Sequence, residues 1–383
     1  MKKVLFIVLN LISVLIEYLL IYSFFRFIVN KGFIISLIMT LLIFVIMIVV
    51  VIIANVMLRT TSIEDKKRPC EEELTKMIDK FSKEYNKKFY LHYVNAPQPN
   101  PAWCVGNHIY INNKFMCDNI FLPGVVAHEL GHVISGISHL TFIPSLKVST
   151  ILSRIFHLTI VALLEKESNA FKIFALVLFV PYYIINLNNL IFTYHFLKKD
   201  EITANTIAAK LGYGDYLRCY YAIALKYDND KLFRKSDLLH PSIDIMIKRL
   251  NEELKVKNEL VDIYYINNIL ILAQLKTKTF KIPDFITELY PNSISGDNLV
   301  KVSSEYIEKV HYGAFRECKN LEIIQLKNVK NFPTAVVDNL DKLNMIKIDD
   351  LNILHKIYLK YPNKLFSSKI YQKLVNNGII KEE

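Results

Sequence analysis

From Phe33 to Leu58 no residue carries a charge. As a helix rising about 1.5 Å per residue this run is about 39 Å long, more than the roughly 30 Å hydrocarbon core of a bilayer. It therefore reads as a transmembrane helix. Val4 to Phe25 is a second candidate, broken only by Glu17 and preceded by Lys2 and Lys3. It is too long for a typical signal peptide and no A-x-A-like cleavage site follows, so it reads as a retained anchor. Glu17 either faces a bundle interior as a functional carboxylate or is simply tolerated beside Tyr18. Lys2, Lys3, Arg59, Lys66, Lys67 and Arg68 would flank the two spans on one side, against Arg26 and Lys31 on the other. That asymmetry places the N-terminus, and everything after Arg59, in the cytoplasm.

The formal charge of +11 is also accounted for by these flanks. The lysines are dispersed and no basic stripe interleaves with aromatics, which excludes nucleic acid as a partner. Five cysteines, an odd number without metal-type pair spacing, suit a reducing compartment.

Within "GVVAHELGHVISG", residues 124–136, His128 and His132 are four apart. On a helix they share one face and can point at one Zn²⁺, while Glu129 reaches the water that the ion activates. Pro123 and Gly124 open the helix, and Val125, Val126 and Leu130 supply its apolar face. A catalytic zinc needs a third protein ligand and an open position. The candidate is Glu201 in "KKDEITANTIAAKLG", where Asp200 caps a helix ending at Gly212 and Asn205 lies one turn after Glu201.

"HELGH", "EITAN" and "LLHPSIDIMIKRL" resemble, in order and spacing, the HtpX-like membrane zinc metalloproteases, which are related to the CAAX prenyl protease type. "PAWCVG", residues 101–106, is similar to that family's N-A-F-A-x-G strand. The resemblance covers about residues 1–256 and implies an α+β zincin domain of the gluzincin type, holding one zinc ion. It has three departures. Asn205 stands where the family has the aspartate that orients a zinc histidine, Pro101 replaces an asparagine, and Ser242 replaces the second proline of H-P-P. His240 has two readings: the resemblance implies a place near the zinc, stabilising the oxyanion or regulating access, whereas the residues alone allow a cap on the helix opened by Pro241.

Sixty-eight residues separate His132 from Glu201, and most are apolar. If both bind one ion, the chain between them crosses the bilayer an even number of times. Val148–Leu164 and Ile173–Leu197, turning at "EKESN", would form that hairpin, with Asn186, Asn188 and Asn189 either lining a polar cavity or bonding between helices. "PAWCVGNHIYIN" reads as a β-hairpin turning at Gly106–Asn107. Its edge either pairs with an extended peptide substrate or only packs on the catalytic helix.

After Leu254 the apolar residues recur every 22 positions: Leu299, Leu321 and Leu343; Val302, Ile324 and Ile346; Ile307, Val329 and Leu351; Val310, Phe332 and Leu354; Phe315, Val337 and Leu359. "GAFRECKNLEIIQL", residues 313–326, resembles the BspA-like leucine-rich repeat, the alternative being an α+β tail with a coincidental period. Such a stack lacks obvious polar caps and would lean on the rest of the chain through residues 264–275.

The expected fold class is thus a multi-pass α-helical membrane protein with an α+β zincin domain and a short C-terminal repeat domain. The expected boundaries are two spans in 1–58, the first part of the protease in 59–147, a hairpin in 148–197, the second part in 198–256, and a linker with repeats in 257–383. The expected activity is that of a zinc endopeptidase in the cell membrane, facing the cytoplasm. Glu129 and His240 would be its catalytic residues and His128, His132 and Glu201 its metal ligands. Its partners would be protein or peptide substrate, the lipid bilayer, and a protein bound by the repeats. Two alternatives stay open: an interaction scaffold with a vestigial protease fold, and a prenyl-protein processing protease.

Overall fold

A computed structural model of the chain describes residues 71–94, 101–112, 120–135, 197–227 and 240–381, with a helical stretch at 34–42 and a few isolated positions. The chain divides into two compact units. The first comprises residues 1–119, 128–204 and 236–241; the second comprises 120–127, 205–235 and 242–383.

In the first unit, helix α1 (Glu71–Tyr85) buries Leu74, Met77, Ile78 and Phe81, the i, i+3, i+4, i+7 stripe of an amphipathic helix. Strands β1 (Tyr90–Val94), β2 (Ala102–Val105) and β3 (His108–Asn112) form a sheet in the order β1-β3-β2. β1 runs parallel to β3 and β2 antiparallel to it, pairing Val105 with His108 across Gly106–Asn107. Gly106 turns the chain at φ 62°, a left-handed conformation that glycine takes without steric cost. Side chains alternate across the sheet. One face buries Ala102, Ile109 and Ile111, while on the other Tyr90, His108, His92, Tyr110 and Trp103 form a run of stacked rings.

Helix α2 (Leu122–Ser135) follows, and residues 197–208 form α3. α3 runs into a π-helical turn (Ala209–Tyr213) where Gly212, at φ 95°, breaks the helix, and the chain resumes as α4 (Gly214–Lys226). Helix α5 (Ile243–Glu253) starts just past Pro241.

The C-terminal part of the second unit is a coil of short parallel strands. β4 (Ile263–Ile266) and β5 (Ile269–Gln274) form an antiparallel pair. Then come β6 (Thr279–Lys281), β7 (Glu288–Leu289), β8 (Ile294–Ser295), β9 (Lys301–Ser304), β10 (Lys309–Val310), β11 (Ile323–Leu326) and β12 (Met345–Lys347). Phe280, Val302, Ile324 and Ile346 sit side by side in the sheet β6-β9-β11-β12, so one turn of the coil is the 22-residue period of the sequence. A second column runs from Ile269 through Glu288 to Lys309 and Asn331, and a third from Gln274 through Ser295 to Glu317. The periodic residues fill the interior between them, from Leu299, Leu321 and Leu343 to Val310 and Phe332. The register fails only at Leu359, 65% exposed, because the chain has by then become helix α6 (Leu351–Lys360). With α7 (Ser367–Asn376), α6 closes the end of the coil, burying Ile353, Leu354, Ile357, Ile370 and Leu374.

The coil is continuous with α4. Cys219, Ile266 and Ile271 form one buried cluster, ringed by Phe121, Tyr216, Ile223, Tyr264, Ile269 and Tyr290. Arg218, fully buried, ion-pairs with Asp215 at 3.2 Å, donates to the carbonyls of Leu260 and Val261, and lies 5.2 Å from the centre of the Tyr264 ring.

This architecture corrects the expected fold class and location. The described chain is a mixed α/β protein built on three sheets, not a multi-pass helical membrane protein, and no helix among the described residues is long and apolar enough to cross a membrane. Helices α1, α2 and α4 to α7 run for 10 to 15 residues, and the sequences of α1, α5 and α7 put charged residues along one side. The expectation of a multi-pass protein in the cell membrane rested on long apolar runs, which are necessary for a span but not sufficient, and the cytoplasmic side followed from the basic residues flanking them. Those four runs lie outside the described residues except for 34–42 and scattered positions.

Candidate metal centre

α2 carries the first half of the site. Its buried side is Val126, Ala127, Leu130 and Val133, and the i, i+4 spacing puts His128 and His132 on a common face. Their Nε2 atoms are 3.0 Å apart with the rings edge to face. Glu201 on α3 completes the group, with one carboxylate oxygen 3.3 Å from His128 Nε2 and the other 3.3 Å from His132 Nε2. One donor atom from each residue lies within 4.8 Å of the others, and no further cluster able to hold a metal ion occurs among the described residues. Two imidazoles and one carboxylate fit a catalytic zinc, which takes three such ligands and keeps one position open.

Gly131 makes this approach possible. A Cβ at that position would lie 2.5 Å from the carbonyl oxygen of Ala204 and 2.6 Å from its Cα, so α2 and α3 touch backbone to backbone. The glycine inside "HELGH" thus brings Glu201 within reach of the histidines.

Behind the histidines stands a carboxylate that the sequence reading used only as a helix cap. Asp200, 3% exposed, lies within α3 rather than at its start. One of its oxygens is 2.8 Å from His132 Nδ1 and the other accepts from Ser135 Oγ at 2.5 Å. Such a partner fixes the ring with Nε2 turned toward His128 and Glu201. Asn205, expected in that role, accepts instead from the Tyr221 hydroxyl at 3.1 Å. Asp200 and Ser135 were both visible in the sequence, but adjacent helical residues point about 100° apart, and nothing in the spacing shows which of Asp200 and Asn205 faces the histidine.

The charges are mutually adjusted. Burial opposes ionisation of Glu201, but hydrogen bonds from both histidines prevail and hold its carboxyl well below the usual carboxylate range. Burial also opposes protonation of His132, and Asp200 and Glu201 outweigh it, raising its pKa well above the ordinary histidine value. Glu129, next to His128, has its carboxyl pushed up by burial, an effect that the two histidines counter. The Cys104 thiol on β2 lies beside Glu129, and burial together with that carboxylate pushes the thiol's pKa up.

His240 reaches the group from outside, with Nε2 3.9 Å from a Glu201 oxygen and its side chain 52% exposed. The structure therefore brings together all five site residues read from the sequence: His128, Glu129, His132, Glu201 and His240. It adds Asp200, Ser135 and Cys104.

No curated protein and no solved structure matches the chain. A family profile does, over a segment that begins just before α1, ends at the close of α5, and contains every residue of the metal centre. That profile describes Peptidase family M48, a metalloprotease family, and it matches residues 64–254.

Proposed function

We propose that the chain is a zinc-dependent endopeptidase acting on unfolded protein or peptide. The observation that carries this reading is the convergence of His128, His132 and Glu201 within 4.8 Å, inside the family-matched segment. These three side chains would hold the ion, which when bound supplies a Lewis acid that activates water and polarises a peptide carbonyl. Glu129, next to His128 on α2, takes a proton from the attacking water and returns it to the leaving amine. His240 stands on the open side of the trio, where it can donate to the carbonyl oxygen as that atom gains charge. Asp200 keeps His132 oriented throughout.

β2 pairs only with β3 among the described strands and so forms an edge of its sheet. Its residue Cys104 lies beside Glu129, so an extended substrate adding to this edge would run past the catalytic glutamate. Backbone pairing of this kind is nearly blind to sequence, and broad specificity follows. The 22-residue turn of the C-terminal coil supports reading that part as a short leucine-rich-repeat-like stack.

The test is hydrolysis of an internally quenched, unstructured peptide by the purified chain. Cleavage should stop on treatment with a zinc chelator and return on adding zinc. Cleavage that persists without metal would refute the reading.

A further inference from the structure

Several lysines on the coil pair with an acidic residue one turn earlier: Lys309 with Glu288, Lys330 with Glu308, Lys360 with Asp338, Lys364 with Asp341. Lys278, Lys301 and Lys347 make no such pair among the described residues, and neither does a group of three that lies together, Lys276, Arg316 and Lys319. Among the described residues none of the three takes an acidic partner, although Asp297 stands one turn before Lys319.

All three line a single cleft of about 650 Å³, walled on one side by Tyr227 at the end of α4. Its floor crosses three successive turns of the coil, along the column Gln274, Ser295 and Glu317. Rungs of such a ladder are about 4.8 Å apart, so the outer two are about 10 Å apart, the reach of three residues of extended chain. Glu317 does not offset the cations in the cleft, because the buried Lys226 holds it at 2.8 Å and also donates to the Asn292 carbonyl. Asp297 offsets one of the three and leaves an excess of positive charge in a concave, partly enclosed space.

We infer that this cleft is a docking site for an acidic stretch of extended polypeptide, held by Lys276, Arg316 and Lys319 against the polar floor. Unpaired cations in a concavity attract anions more strongly than the same cations on a flat surface, since the walls focus their field. Arg316 supplies a two-pronged donor suited to carboxylate. The inference does not depend on the metal centre, since binding here requires no hydrolysis.

Fluorescence anisotropy with the full chain and a labelled octaglutamate peptide tests it. We expect saturable binding that weakens as salt is raised, and no binding of an octaglutamine control. The combined variant Lys276→Gln, Arg316→Gln, Lys319→Gln should bind octaglutamate about tenfold more weakly, as the loss of three exposed ion pairs implies. Its thermal unfolding should match that of the parent, because all three side chains are exposed, and Lys369→Gln, on α7, should bind as the parent does. Equal binding by the triple variant, equal binding of octaglutamine, or displacement of the peptide by inorganic phosphate at the peptide's own concentration would each overturn the proposal.

Discussion

Asp200 and His132, sixty-eight positions apart, meet at 2.8 Å between a carboxylate oxygen and Nδ1, and that contact leaves Nε2 as the ring's metal-facing nitrogen. The residue before Glu201, rather than the one a turn after it, thus orients the histidine.

Replacing Asp200 by alanine should therefore weaken zinc binding about 10- to 100-fold, the usual effect of removing a ligand's hydrogen-bond partner. Asn205→Asp should bring no gain, because Asn205 is bonded to Tyr221. Zinc competition against a chelating dye measures both. Wild-type affinity in Asp200→Ala would show that the contact does not hold the ring.

Gly131→Ala should destabilise the fold by about 1–3 kcal/mol, because a Cβ 2.5 Å from a backbone carbonyl forces α2 and α3 apart. The same displacement moves Glu201 away from the histidines, so zinc should be lost faster to a chelator. Thermal denaturation and a zinc-release time course check the two effects together, and an unchanged variant would mean that the helices approach less closely than described.

Arg218→Ala should cost about 3 kcal/mol. A fully buried guanidinium that satisfies Asp215 and two carbonyls leaves all of them unpaired when it is removed. Arg218→Lys should recover little, since an ammonium cannot span two carbonyls and stack on Tyr264. Urea unfolding of the two variants distinguishes a structural arginine from a dispensable one.

Ending the chain at residue 276 should prevent folding of the second unit, although the family match stops at 254. β5 lies between β4 and β7 and also pairs with β8, so truncation strips one side of a strand whose Ile271 packs with Cys219 of α4. Circular dichroism and limited proteolysis should show a disordered or aggregated product. A compact, protease-resistant fragment would make the coil a separate domain after all.

The pairing of His128 with His132 was legible in the sequence because helical spacing fixes its geometry: the two share a face wherever the helix sits. The 22-residue coil was legible for a related reason, as each periodic residue must face the interior shared by its neighbours. Asp200 was not, because its partner comes from a helix sixty-eight positions away and no local rule names it. The cap formed by α6 and α7 was missed because the apolar register runs on through Leu359 even though the backbone has changed from strand to helix. The charge-free runs misled in the opposite direction. Their length, the basic residues beside them and the resemblance to membrane proteases carried the membrane reading, and no described helix has the length and apolarity that reading required.

The central claim is that His128, His132 and Glu201 hold one zinc ion while Glu129 moves the proton. Metal analysis paired with peptide hydrolysis on three purified proteins tests it most directly. The account predicts about one zinc per chain in the parent and in Glu129→Gln, loss of hydrolysis by at least 10²-fold in Glu129→Gln, and loss of both zinc and activity in Glu201→Ala. Full zinc retention in Glu201→Ala, or parent-like turnover by Glu129→Gln, would contradict it.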